Sequence, residues 1–235
     1  MNKLGVSERN AWSVRDGAVD LTRRRETRPV AVVCGDHTVT VDLASAALVV
    51  IDMQNAFCHP DKAGANGPAR RPIAPLQALM PELRARDVPV VWVNWGNRAD
   101  GRNLAPMVLH PFRDGLDGES FIVKDSFDAA IVDGLEVGNN DVLVDKYRMS
   151  GFWDTQLDSI LRNLDVRTLL FAGVNLDQCV FTTLTDASFL GYDCILLEDC
   201  AATSSPDFCT QAALWNIGRC FGFITSSRAV LAALG

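Results

Sequence analysis

The sequence predicts an α/β protein, a three-layer α/β/α Rossmann-like fold built on a mostly parallel six-stranded sheet. Two observations carry that expectation. From residue 46 onward, short apolar runs alternate with stretches whose apolar residues recur at helical spacing, which is the rhythm of βαβ units. Several of the runs are apolar throughout, as suits strands covered on both faces. The 235 residues then divide into a domain over residues 46–235 and an N-terminal extension over residues 1–45.

The first strand is expected at Ala46–Ile51 (AALVVI), ending at Asp52. A helix over Pro75–Arg86 follows, its stripe formed by Leu76, Leu79, Met80 and Leu83. Pro89–Val93 reads as the second strand. Gly96–Ser120, rich in Gly, Asn, Asp and Pro, reads as a long loop, and loops of that length are often functional. The third strand, Val142–Val144, leads to Asp145-Lys146, and Leu157–Leu164 is helical. Thr168–Ala172 is a strand running into Gly173, and Cys179–Leu190 a helix. Cys194–Leu197 is the fifth strand, Pro206–Ile217 a helix with proline near its start, Phe221–Ile224 the sixth strand and Arg228–Leu234 the closing helix. In the extension, Val30–Val33 and Thr38–Val41 flank Cys34-Gly35-Asp36-His37 and suggest a hairpin, or an arm laid on the domain or on a partner subunit. Residues 1–25, with the basic cluster Arg23-Arg24-Arg25, fit a solvated tail equally well.

Composition narrows the function. Twenty-two Lys and Arg against 29 Asp and Glu give a net charge of −7, which argues against a nucleic-acid footprint and against docking on anionic membranes. No run reaches the ~18–20 apolar residues of a spanning helix. The opening MNKLGVSERNAW lacks the apolar core of a signal peptide, so a soluble, cytoplasmic protein is expected. The seven cysteines are odd in number and hold no C-x-x-C pair, which fits neither a disulfide framework nor a zinc site. Most are expected to act as small buried apolar residues.

Ligands of open parallel sheets bind beyond the C-terminal strand ends. Asp52, Lys146 and Cys179 all follow such ends, and Cys179 stands where a helix is expected to begin, a position that lowers thiol pKa. A carboxylate, an ammonium and a thiol brought together make a nucleophilic site. The Asp takes the thiol proton and returns it to a leaving amine, while the Lys favours the anionic sulfur. Taken singly, an Asp is often a cap, a Lys is usually solvated, and one Cys among seven is more often core.

The segments Leu48-Val-Val-Ile-Asp-Met-Gln-Asn-Ala-Phe57, Asp145-Lys146, Gly173-Val-Asn-Leu-Asp-Gln-Cys-Val180 and Gly191-Tyr192 resemble the isochorismatase-like cysteine hydrolases over about residues 46–225. That resemblance implies an Asp52–Lys146–Cys179 triad acting on a C–N amide bond through a thioester-type intermediate. It also implies a cis Val174–Asn175 peptide and an oxyanion hole formed by the N–H groups of Asn175 and Cys179. Where relatives often carry Ala and then Thr, this chain has Asn175 and Leu176, which changes the pocket wall. Isochorismatases proper lack the cysteine. Nicotinamidases generally carry an Asp-x-His metal site, whereas the histidines here are His37, His59 and His110 with no such motif, so no metal or other cofactor is expected.

Within the family, Lys146-Tyr-Arg-Met-Ser-Gly-Phe-Trp-Asp-Thr155, Leu157-Asp-Ser-Ile-Leu-Arg162 and Leu197-Glu-Asp199 are similar to ureidoacrylate amidohydrolases, with biuret and triuret hydrolases as neighbours. The resemblance therefore implies a small-molecule ureide substrate and a homo-oligomer, a dimer or tetramer. A pocket for a planar, hydrogen-bonding substrate pairs aromatic walls with fixed polar contacts, and the candidates are Gln54, Phe57, Asn94, Trp95, Arg148, Phe152 and Trp153. Each also has a plainer role: Phe57, Phe152 and Trp153 as core, Gln54 as a loop brace, Arg148 as a surface ion pair. An N-carbamoyl amino-acid hydrolase, a nicotinamidase and a non-catalytic α/β binding subunit are the alternatives.

Overall fold

The computed structural model describes residues 2–23, 26–62, 67–110 and 122–235. Arg24 and Arg25 of the basic cluster, and residues 111–120 of the expected long loop, lie outside the described residues.

In chain order the strands are β1 (Asn2–Leu4), β2 (Trp12–Arg15), β3 (Ala18–Asp20), β4 (Pro29–Cys34), β5 (His37–Asp42) and β6 (Ala46–Ile51). Helices α1 (Asn55–Cys58) and α2 (Ile73–Arg84) lead to β7 (Val90–Trp95), α3 (Pro106–Leu109), β8 (Val142–Lys146), α4 (Leu157–Asn163) and β9 (Thr168–Val174). A single π turn, Leu176–Val180, opens α5 (Phe181–Phe189); β10 (Asp193–Ala202), α6 (Asp207–Asn216), β11 (Phe223–Thr225) and α7 (Ser227–Leu234) complete the chain.

The central sheet has six strands in the order β11-β10-β9-β6-β7-β8, every pair parallel. From β6 the chain winds first toward β8 and then returns to build the other half, so the order reverses between β6 and β9. That is the switch point where such sheets hold ligands. The strands β6, β7 and β9 are buried along their whole length, which is why their sequences do not alternate. Alternate residues feed opposite cores. Leu48, Val50, Val90, Trp92 and Leu170 face α2 and α7 through Leu76, Leu79, Leu83 and Val230. Val49, Ile51, Val91, Val93 and Phe171 face α4 and α5 through Leu157, Leu161, Leu184 and Ala187. Each fully buried leucine contributes about 1.5–3 kcal/mol. At the centre, Gly173 has φ +116°, and a Cβ there would meet the Ile51 carbonyl oxygen at 2.0 Å, so glycine lets β9 approach β6.

Some expectations need correction, and the hairpin expected in the extension is present. Residues 2–20 are not a solvated tail: β1, β2 and β3 form an antiparallel sheet, and the Arg9 guanidinium donates to the carbonyls of Ala46 (3.1 Å), Leu43 and Asp87. The β4–β5 hairpin turns at Gly35 (φ +58°) and lies on the domain's own core through Val32, Cys34 and Val41, with Thr225 Oγ1 donating to the Val33 carbonyl at 2.6 Å. The strand expected at Pro89–Val93 runs on to Trp95 and that at Cys194–Leu197 on to Ala202, past a register shift between Leu196 and Ala201. Among the described residues no helix is long and apolar enough to cross a membrane.

Candidate active site

Three chain segments bring their functional side chains together above the switch point. Asp52 follows β6 with φ +52°, turning its carboxylate toward β7, where Oδ1 accepts the Trp95 N–H at 3.2 Å. Lys146 closes β8 in register with Trp95 and shares a sheet face with Val144, by the period of two along a strand. Its Nζ lies 3.1 Å from Asp52 Oδ2, donates to Cys179 Sγ at 3.3 Å and to the Arg148 carbonyl at 3.1 Å, and stands 3.6 Å from the Trp95 ring centroid. Cys179 sits in the π turn after β9, closed by the Val180 N–H donating to the Asn175 carbonyl at 3.2 Å, and its Sγ lies 3.7 Å from Met149 Sδ. Lys146 is 0 % exposed, Asp52 1 % and Cys179 4 %.

Burial dominates the electrostatics. It raises Asp52 above the usual carboxylate range, and the Lys146 charge, with polar contacts from Cys179, Lys146 and the Trp95 N–H, offsets this only in part. Burial likewise pushes the Cys179 thiol up to about 12; the Lys146 ammonium pulls it down, and the Asp52 carboxylate pushes it further up. Cys179 lies in the first turn of the helical run that starts at Leu176, and the lysine's charge is shared with a carboxylate. This geometry holds the thiol beside a carboxylate that can take its proton.

The other candidates separate. Gln54 is buried and committed to backbone: Nε2 donates to the carbonyls of Trp95 and Ala129, both at 2.8 Å, and Oε1 accepts the Trp95 N–H at 2.9 Å. The Trp95 ring lies against Lys146 as a buried wall. Asn94 is not brought to Cys179: one residue from Trp95, it lines a cavity of about 430 Å³ with Lys124, Ser126, Leu143 and Asp145. Phe57 packs between both cores, and Phe152 packs as core with its ring centroid 5.9 Å from that of Tyr192. Arg148 pairs with Asp154 at 3.0 Å and lines another cavity of about 430 Å³ with Met149, Trp153 and Phe181. Trp153 is 64 % exposed and donates from Nε1 to Asp186 at 2.9 Å. Met149 was missed because a methionine in a loop carries no sequence signal of contact with sulfur. The Val174–Asn175 peptide is cis, and Asn175 Oδ1 accepts the Ser204 N–H at 3.4 Å. Among the described residues no group of three or more His, Cys, Asp or Glu side chains is arranged to hold a metal ion.

Comparison with known proteins agrees with this architecture. A cysteine hydrolase from Pseudomonas syringae pv. phaseolicola superimposes with a TM-score of 0.73 at 28% identity, over 88% of this chain and 97% of that one. An isochorismatase family protein from Desulfovibrio vulgaris is 29% identical with a TM-score of 0.71, over 81% and 98% of the two chains. An N-carbamoylsarcosine amidase from Thermoplasma acidophilum is 26% identical with a TM-score of 0.65, over 78% and 96%. A family model described as the isochorismatase domain matches residues 46–229. With that match spanning most of its length, the chain belongs to the isochorismatase-like cysteine hydrolase family.

Proposed function

We propose that this hydrolase cleaves a C–N amide bond of a small ureide or carbamoyl compound of the ureidoacrylate, biuret or triuret type, with Asp52, Lys146 and Cys179 as its catalytic residues. The observation that supports it most is the thiol of Cys179 held 3.3 Å from an ammonium that is itself 3.1 Å from a buried carboxylate. The neighbour named as an N-carbamoylsarcosine amidase lends support to a carbamoyl C–N bond.

The chemistry follows from the resting state. As Cys179 Sγ bonds to the substrate carbonyl carbon, Asp52 takes the thiol proton, and its raised pKa makes it a stronger base than an ordinary carboxylate. Lys146 stays beside both, balancing the charge as it moves from the carboxylate through the sulfur to the carbonyl oxygen. The tetrahedral oxyanion is received by the N–H groups of Asn175 and Cys179. Its collapse breaks the C–N bond, Asp52 returns the proton to the nitrogen, and ammonia or an amine leaves. A water molecule, deprotonated by Asp52, then attacks the thioester-type carbonyl and frees the acyl group and the thiol. A carbamate product breaks down to carbon dioxide and ammonia. Residues 46–235 carry this chemistry in a cytoplasmic homo-oligomer that binds neither nucleic acid nor membrane.

Ammonia release from ureidoacrylate, biuret, triuret, N-carbamoylsarcosine and nicotinamide, measured side by side, tests the reading. The expected result is turnover of a ureide, lost in Cys179→Ala and Asp52→Asn. Strict preference for nicotinamide overturns the substrate class, and turnover surviving both substitutions overturns the mechanism.

A further inference from the structure

We infer that Trp95 is a positioning residue for the Lys146 ammonium, and that the Gln54 side chain sets its place by continuing the sheet where β6 has stopped. The inference rests on the triad reading above. Lys146 has no solvent around it: its ammonium donates to Cys179 Sγ and the Arg148 carbonyl and is ion-paired with the Asp52 carboxylate. The Trp95 ring, 1 % exposed, lies 3.6 Å from Nζ. An indole face supplies the negative quadrupole that a desolvated cation lacks there, and Trp is the best residue for it.

The ring's position is built, not incidental. The β6–β7 ladder ends with Ile51 opposite Val93, and at Asp52 the backbone turns to φ +52° and leaves the sheet. Trp95, the last residue of β7, therefore has no β6 residue beside it. Gln54 fills the gap with its carboxamide, accepting the Trp95 N–H at 2.9 Å and donating to the Trp95 carbonyl at 2.8 Å, as a neighbouring strand would. Its second N–H, donated to Ala129 at 2.8 Å, fixes the amide itself. Asp52 Oδ1 shares the Trp95 N–H at 3.2 Å, so one peptide group ties the base, the amide clamp and the residue under the cation.

A filler role and a positioning role differ in sign. The readout is site-resolved iodoacetamide alkylation of Cys179 at pH 9 by mass spectrometry, with the buried Cys194 as internal reference. It needs no substrate. If the ring holds the ammonium beside the sulfur, Trp95→Leu lowers Cys179 alkylation about tenfold and leaves Cys194 unchanged, tenfold being the rate equivalent of 1.36 kcal/mol. Trp95→Phe, which keeps an aromatic face, stays within about threefold of the parent, and Gln54→Met falls in the direction of Trp95→Leu. If the ring only fills space, Trp95→Leu loosens the core and raises alkylation of both thiols, and the inference is overturned. Lys146→Gln separates the two levels. No loss of Cys179 alkylation in that variant removes the triad reading and this inference with it; loss there, with none in Trp95→Leu, overturns this inference alone.

Discussion

At the start of β8, Asp141 meets Arg84 and Trp92; at its end, Lys146 meets Asp52 and Trp95. Both clusters hold a carboxylate, a cation and a tryptophan, and both tryptophans stand on β7, three residues apart; Lys146 and Asp52 are wholly buried, whereas the Arg84 side chain is 27 % exposed. They differ in how far the carboxylate is committed. Asp141 accepts from Arg84 Nε (3.1 Å) and Nη2 (2.5 Å), from Trp92 Nε1 (2.8 Å) and from the Gly138 N–H (2.8 Å). Asp52 accepts one backbone N–H, and its Oδ2, although 3.1 Å from the ammonium, makes no hydrogen bond of good angle. A carboxylate with both oxygens accepting, through four hydrogen bonds, is an anchor. One with an open lone pair beside a thiol is a base in waiting.

The largest expected effect breaks the reactive cluster. Cys179→Ala lowers kcat/KM for ammonia release by at least ~10⁴-fold, and Asp52→Asn by ~10²–10⁴-fold, because the nucleophile and its proton acceptor act as a unit. Steady-state assays on variants with the parent's near-ultraviolet circular dichroism measure this. Asp141→Ala is the reciprocal experiment. It leaves the half-buried Arg84 without its counter-ion and the Trp92 and Gly138 N–H groups without their acceptor, a loss of about 1–3 kcal/mol read as a fall in the urea midpoint. Ammonia release per folded molecule stays within twofold of the parent. Comparable loss of activity in Asp141→Ala would mean that the two ends of β8 are coupled, and the contrast would fail.

The pH dependence sharpens the contrast in a different way. Burial pushes Cys179 up to about 12, but it does the same to Cys58 and Cys194, which have no ammonium beside them. The raised thiol thus marks burial, and what sets Cys179 apart is an ammonium donating to its sulfur at 3.3 Å. A folded pKa above the ordinary 9.0 means that the unfolded chain loses its proton first. Stability is therefore complete below pH 9 and falls as pH rises toward 12. Urea midpoints should decline from pH 9 to 11, and Cys179→Ala should remove one thiol's share of that slope. Alkylation of Cys179 by iodoacetamide should rise about tenfold per pH unit from 7 to 10 without a plateau, as thiolate accumulates. A plateau below pH 8 would identify a resting thiolate.

Much of this was legible in the sequence, and the reasons are specific. Ala46–Ile51 and Thr168–Ala172 show as strands because both faces of each are covered, so apolar character is continuous, although the second runs on to Val174. Asp52, Lys146 and Cys179 show because parallel strands deliver their ends to one edge. What stayed hidden depends on single-residue register or on tertiary contact. Ending β7 at Val93 conceals that Asn94 and Trp95 belong to the strand and so to opposite faces, which takes Asn94 away from the thiol. The π turn around Cys179 shares its residue pattern with an ordinary helix start. Residues 2–20 lack strong apolar periodicity, since their order comes from short ladders and from Arg9 reaching three carbonyls of the domain. The thiol's protonation state follows from three charges and their burial, which only coordinates supply.

The smallest expected effect concerns the third ionic contact on the same strand. Asp145, one residue before Lys146, takes the opposite face and pairs with Lys124 at 2.7 Å, with side chains 33 % and 58 % exposed. Its geometry is as good as that of the buried clusters, yet water competes for both partners and salt screens them. Lys124→Ala should leave the urea midpoint and ammonia release unchanged within error, at low and at high ionic strength. The null result carries information because the main chain between Asp145 and Lys146 is continuous. If losing the outer pair slowed turnover, the position of Lys146 would depend on the tension of its strand, and not on Asp52, Cys179 and the ring of Trp95 that surround its ammonium.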